Sequence, residues 1–120
     1  MTDKPMRISF GNSIANRVLI ELQGFLSAQV GAQFQKLIEV IKGQPQKPVL
    51  IDFSGVESID GSGLIQLAVF LTQLKNIAGS IAGYGLAEPM REIFAFSHIQ
   101  DLVLIFPDEK AALTGVYEER

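Results

Sequence analysis

The stretch best able to do chemistry is Asp60-Gly61-Ser62-Gly63-Leu64, which follows an apolar run and leads into a helical pattern. A serine in the first turn of a helix lies near unpaired backbone N–H groups and the positive end of the helix dipole. A phosphate placed on Ser62 would therefore find donors already in position. Gly61 and Gly63 remove side chains on both flanks, leaving the hydroxyl open to another protein's active site. The plainer reading is that Asp60 caps the helix and the glycines build a tight turn; without further context the residues favour it.

Other groupings of reactive residues point elsewhere and carry less. Ser62 with His98 as base would suggest an esterase, but the elbow pattern G-x-S-x-G is not met, because Asp60 and Leu64 stand at its glycine positions. His98 reads as a surface or partly packed residue at a helix end. Gly79, Gly83 and Gly85 suggest a phosphate cradle, yet no nucleotide-binding glycine motif surrounds them. Asp52, Glu57 and Asp60 could approach a hard cation at a strand end, although carboxylates near loops more often cap or face water. With no cysteine and one histidine, thiolate and histidine-rich metal sites are excluded. Neither a metal nor a cofactor is expected.

The elements that must position Ser62 follow from periodicity. Met6–Phe10 and Arg17–Leu22 are strand-like runs separated by Gly11, Asn12 and Ser13, which predicts an N-terminal hairpin whose second strand Gly24 closes. From Ala28 to Lys42, Val30, Phe34, Leu37, Ile38 and Ile41 mark one helical face, with Ser27 as N-cap and Gly43 as stop. Val49-Leu50-Ile51 has the density of a strand buried on both faces, with Asp52, Ser54 and Gly55 at its carboxyl end. Leu64, Leu67, Ala68, Leu71 and Leu74 form the next helical stripe, and Ile65, Val69 and Phe70 make its flanks apolar too. A weak strand over Ser80–Leu86, a helix over Glu88–Ser97 with Pro89 in its first turn, a strand over Val103–Phe106 and a short helix over Pro107–Leu113 complete the order.

That order predicts an α/β fold: a mixed sheet with an N-terminal hairpin, right-handed crossovers and about four helices. The 120 residues fit one domain, 1–120, with a core over about 6–114. Apolar residues at 48% against 19% charged leave apolar surface to spare. A net charge of −3 with scattered Lys and Arg gives little attraction for nucleic acid or anionic lipid. The polar opening Met1–Arg7 has no signal-like apolar region and no apolar run approaches the ~18 residues of a membrane span. A cytoplasmic address without membrane insertion is expected.

Val49-Leu50-Ile51-Asp52-Phe53-Ser54-Gly55-Val56, followed by Ile59-Asp60-Gly61-Ser62-Gly63-Leu64, resembles the STAS signature of a strand, D-x-S-G-V and D-S/G-S-G-L. Gly79 and the helix start Ala87-Glu88-Pro89-Met90-Arg91 fit it as well, so the resemblance covers nearly the whole chain. It implies a STAS-like domain similar to the bacterial anti-sigma-factor antagonists, and thereby a protein-interaction switch in transcription regulation rather than an enzyme. In those proteins the residue matching Ser62 is phosphorylated by a partner serine kinase that is also the anti-sigma factor. The unmodified form binds that partner and the phosphoprotein does not. Asp60 matches the acidic residue before the phosphosite, and a phosphatase and homo-oligomers are further partners the resemblance allows. The expected interface takes in the Ser62 helix with Ile65, and Met90, Phe94 and Phe96 of the later helix, although core packing competes for each of these. The chain departs from the family at Gly24-Phe25-Leu26-Ser27, where the family often has G-E-L-D or G-x-L-D; serine stands in place of that aspartate. The competing class is a STAS scaffold or small-ligand sensor in which Ser62 is only structural.

Overall fold

A strand lying in the middle of a sheet needs apolar side chains in both directions, and Val49, Leu50 and Ile51 are all wholly buried. In the computed structural model, which describes residues 7–12, 18–43, 47–78 and 80–112, they lie on β3 (Pro48–Ile59), the central strand of five. β1 (Arg7–Asn12) pairs antiparallel with β2 (Val18–Leu26). β2, β3, β4 (Ser80–Tyr84) and β5 (Leu104–Phe106) run parallel in spatial order. The sheet is thus mixed, with the hairpin at one edge. Residues 1–6, 13–17, 44–46, 79 and 113–120 lie outside the described residues, and with them the expected strand start Met6, Ser13, Arg17 and the expected helix end Leu113.

Because successive parallel strands are neighbours and each crossover has the same hand, the three crossover helices share one face of the sheet. α1 (Val30–Lys42), α2 (Gly61–Lys75) and α3 (Glu88–Ser97) bury Val30, Phe34, Leu37, Ile38 and Ile41; Leu67, Phe70, Leu71 and Leu74; and Met90 and Phe94. They pack against Val18, Ile20, Leu22, Val49, Ile51, Phe53 and Ile81 in one cluster. Phe34 stacks on Phe70 with ring centroids 4.3 Å apart, and Phe94 meets Phe53 edge to face at 5.5 Å. On the opposite face, Leu50, Ala82 and Tyr84 pack with Ala112 in a smaller cluster. Ala112 belongs to a helical turn over 109–112, whose start is capped by Asp108 accepting the Ala111 N–H at 2.9 Å. There, burial and the nearby Asp52, Glu109 and Glu21 hold the Tyr84 phenol well above its ordinary range, so it stays neutral.

Several boundaries differ from the sequence expectation. Gly11 and Asn12 do not turn the chain: β2 supplies partners for both, Leu19 and Val18, and they continue β1. β4 ends at Tyr84, short of the expected Leu86. Gly24 does not close β2: at φ 98° it forms an irregularity, and the strand continues to Leu26. Ser54 and Gly55 do not end β3, because the lengthened β2 supplies pairing partners as far as Ile59. Ser27 is not the N-cap of α1; that helix is entered through a turn and begins at Val30, with Gln29 preceding it and no side-chain cap.

Candidate functional site

The β2 and β3 extensions end side by side, with Leu26 paired to Ile59. This carries the β2–α1 turn and the start of α2 to the same carboxyl edge of the parallel sheet, where α/β folds gather binding groups. Asp60 has extended backbone (φ −104°, ψ −178°) and caps α2 by accepting the Gly63 N–H at 2.8 Å. Its other carboxylate oxygen accepts from the Ser27 hydroxyl at 2.6 Å, and its own N–H donates to the Leu26 carbonyl at 3.1 Å. The Ser27 hydroxyl, then the Gly63 and Ser62 N–H groups, hold the Asp60 carboxyl below its ordinary range.

Ser62 is exposed in the first turn of α2. Its flanking glycines are not equivalent. A Cβ on Gly63 would lie 2.1 Å from the Leu26 carbonyl oxygen and 2.9 Å from the Ser27 nitrogen, so backbone packs directly on backbone there. A Cβ on Gly61 would meet nothing within 4 Å. Both segments around the site are devoid of cations: Asp60 is the sole charged residue across 22–35 and 58–74. Just past the serine, Ile65 and Val69 stand 63% and 48% exposed one turn apart on α2.

The structure corrects part of the expected interface. Met90 and Phe94 are 5% and 1% exposed and belong to the core, so neither offers surface to a partner. Phe96 is 86% exposed. It lies in the last turn of α3, toward the amino end of the sheet, whereas Ile65 is near Ser62 at the carboxyl end. His98, with φ 64° just after α3, lies ~15 Å of helix away from the carboxyl edge that holds Ser62. Serine–histidine chemistry has no geometry here. Asp52 accepts from the Ser54 N–H and hydroxyl at 2.9 and 2.6 Å. It lies in β3, apart from the Asp60 cap, and among the described residues no group of three acidic or histidine side chains is arranged to hold a metal. Gly83 and Gly85 are packing positions: a Cβ would press on the Phe53 ring in one case and on Ser54 in the other, and Gly85 also has φ 85°. Sequence reasoning missed the Ser27–Asp60 contact, whose one signal was serine in place of the family's aspartate. It also missed Val69, although the Ile65–Val69 spacing marks a common helix face.

At the other end of α2, about 22 Å along the helix from Gly61, an open cavity of about 340 Å³ is lined by Lys75, Ser80, Asp101, Leu102 and Leu104, among others. Among the described residues, no helix is long and apolar enough to cross a membrane.

Comparison with solved structures returns this fold. An anti-sigma factor antagonist from Mycobacterium paratuberculosis superposes with a TM-score of 0.78 at 17% identity, covering 95% of this chain and 96% of that one. The phosphorylated form of the Bacillus cell fate determinant SpoIIAA gives 0.63 at 18% identity over 92% and 99%. A STAS domain protein from Planctomyces limnophilus, an anti-sigma-factor antagonist, gives 0.68 at 22% over 90% and 95%. At such identities the likeness is one of fold. No curated protein sequence matches the chain. The family model for the STAS domain matches residues 11–112, which include all of β2 through β5 and the Asp60–Gly63 turn, and the chain belongs to the STAS domain family.

Proposed function

We propose that this STAS domain is a phosphorylation-controlled interaction switch. As an anti-sigma-factor antagonist it binds an anti-sigma factor that is also a serine kinase while Ser62 is unmodified, and releases it once Ser62 carries phosphate. The observation that carries this reading is the placement of an exposed serine over helix N–H donors, beside the apolar pair Ile65 and Val69, with no lysine or arginine in the two chain segments that form the turn. SpoIIAA, of the same fold, is known in unphosphorylated and phosphorylated forms. The reading makes the chain a binding module rather than an enzyme, acting in the cytoplasm, with a phosphatase to reset it.

The physics of release needs no refolding. A phosphoryl group adds nearly two negative charges, and backbone N–H groups at the start of α2 can hold it without melting the helix. No lysine or arginine in the two flanking segments neutralises it, and Asp60 repels it. A partner docked on Ile65 and Val69 would have to desolvate that charge. A hundredfold loss of affinity corresponds to ~3 kcal/mol, within reach of one uncompensated buried charge.

The test is intact-mass and peptide analysis of the protein from its own cells beside Ser62→Ala. A species heavier by about 80 Da, assigned to Ser62 and lost in the variant, supports the switch. No phosphate under several growth conditions, with Ser62→Ala functioning normally, overturns it and leaves a STAS scaffold or small-ligand sensor, for which the Lys75–Leu104 cavity is the binding space.

A further inference from the structure

The geometry points to Ser27 as the positioning residue of the Ser62 site: its hydroxyl, donated to Asp60, fixes the α2 cap and clamps the β2–α1 turn to the turn that carries the serine. The biological meaning of this clamp rests on the reading of Ser62 as the modified residue; the clamp itself does not. Three contacts join the two turns. Ser27 donates to Asp60 at 2.6 Å, the Asp60 N–H donates to the Leu26 carbonyl at 3.1 Å, and the Gly63 backbone lies flush against Leu26 and Ser27. Of these, the Ser27 bond is the one made by side chains at both ends and can be removed without touching the backbone.

Ser27 is also spared the task its sequence position suggests. It stands where an N-cap of α1 would be, yet that helix begins at Val30 with no side-chain cap. With the Ser27 hydroxyl on Oδ2 and the Gly63 N–H on Oδ1, the carboxylate is held at both oxygens and its rotamer is fixed. That in turn fixes Gly63 and the serine before it.

A neutral donor at position 27 has a specific consequence. An aspartate there would put a second carboxyl within hydrogen-bond distance of Asp60, and two carboxylates that close share a proton and titrate as a pair, with one pKa strongly raised. With serine, Asp60 stays ionised down to acid pH. The groups that face it are the Ser27 hydroxyl from the β2–α1 turn and the Ser62 and Gly63 N–H groups from α2. On the elements packed around it, 22–35 and 58–74 carry no second charge, and the nearest acid along β3 is Glu57.

The experiment is an NMR comparison of the full chain with Ser27→Ala, Ser27→Thr and Ser27→Asp, following the Asp60 carboxyl carbon through pH and the exchange of the Gly63 amide. Ser27→Ala is expected to raise the Asp60 pKa and speed Gly63 exchange by about fivefold, in keeping with loss of capping support. Amides in the middle of α1 should not change, and Ser27→Thr should restore both readings. Ser27→Asp should move the titration seen at the Gly63 amide shift to higher pH than in the wild type. Unchanged Asp60 titration and Gly63 exchange in Ser27→Ala would overturn the assignment, as would equal loosening throughout α1, which would make Ser27 a general structural residue. Neither outcome depends on whether Ser62 is phosphorylated, so failure of the clamp and failure of the switch are read separately.

Discussion

The N-termini of α1 and α2 lie beside each other at the carboxyl edge of the sheet and are built in opposite ways. α2 has an extended capping aspartate, bonded at both oxygens, and a glycine on which no side chain fits. α1 has helical backbone at Gln29, no side-chain cap, and a serine whose hydroxyl serves its neighbour. The better-held start is the one that carries the exposed serine. Side-chain bonding and backbone packing are concentrated at the start that presents the exposed serine, and the adjoining helix is held by its buried face instead.

The contrast can be broken most forcefully at Gly63. Gly63→Ala places a methyl group against the Leu26 carbonyl and should cost about 3 kcal/mol of stability in urea unfolding. A loss under about 1 kcal/mol would mean that the two turns separate easily. Asp60→Ala removes the cap and should lower the denaturation midpoint by less than Gly63→Ala, while Asp60→Asn, which still accepts a hydrogen bond, should recover much of the loss.

Acid titration sharpens the same comparison. The folded-state pKa of Asp60 lies below its ordinary 3.8, so its ionised form stabilises the fold above that value and the contribution is lost as pH falls through the folded pKa. Protection of the Gly63 amide should therefore decline below about pH 4 in the wild type, before amides at the start of α1 respond, and Asp60→Asn should abolish that step. The smallest effect belongs to Gly61→Ala. The space there is open, so replacing a helical glycine should be neutral or stabilising by up to about 1 kcal/mol; a clear destabilisation would show that the turn needs glycine on both sides of the serine.

How much of this was legible depended on whether local residues or distant ones decide. The α1 face could be read because Val30, Phe34, Leu37, Ile38 and Ile41 repeat at helical spacing, and the Asp60 cap because an aspartate precedes a small, flexible turn and an apolar stripe. Gly24, Ser54 and Gly55 look like terminators by local chemistry, yet β2 and β3 run through them because each supplies the other's backbone partners. A strand's length is a property of the pair. Phe94 and Phe96 are alike in composition, and their offset decides: Phe94 follows Met90 by four residues onto the buried face, whereas two further residues turn Phe96 outward. The Ser27 bond crosses 33 positions of sequence, and no local pattern announces it.

The open space beside Gly61 has a meaning for divergence among related chains. A Cβ added at this position, next to the serine, meets nothing within 4 Å, so the packing around it does not require glycine. If the proposed switch operates, then in a cell holding several chains of this fold, each with its own partner, substitutions at 61 would alter the surface beside the serine while the packing on the Gly63 side stays untouched. One flank of the serine preserves the architecture; the other is free to record identity.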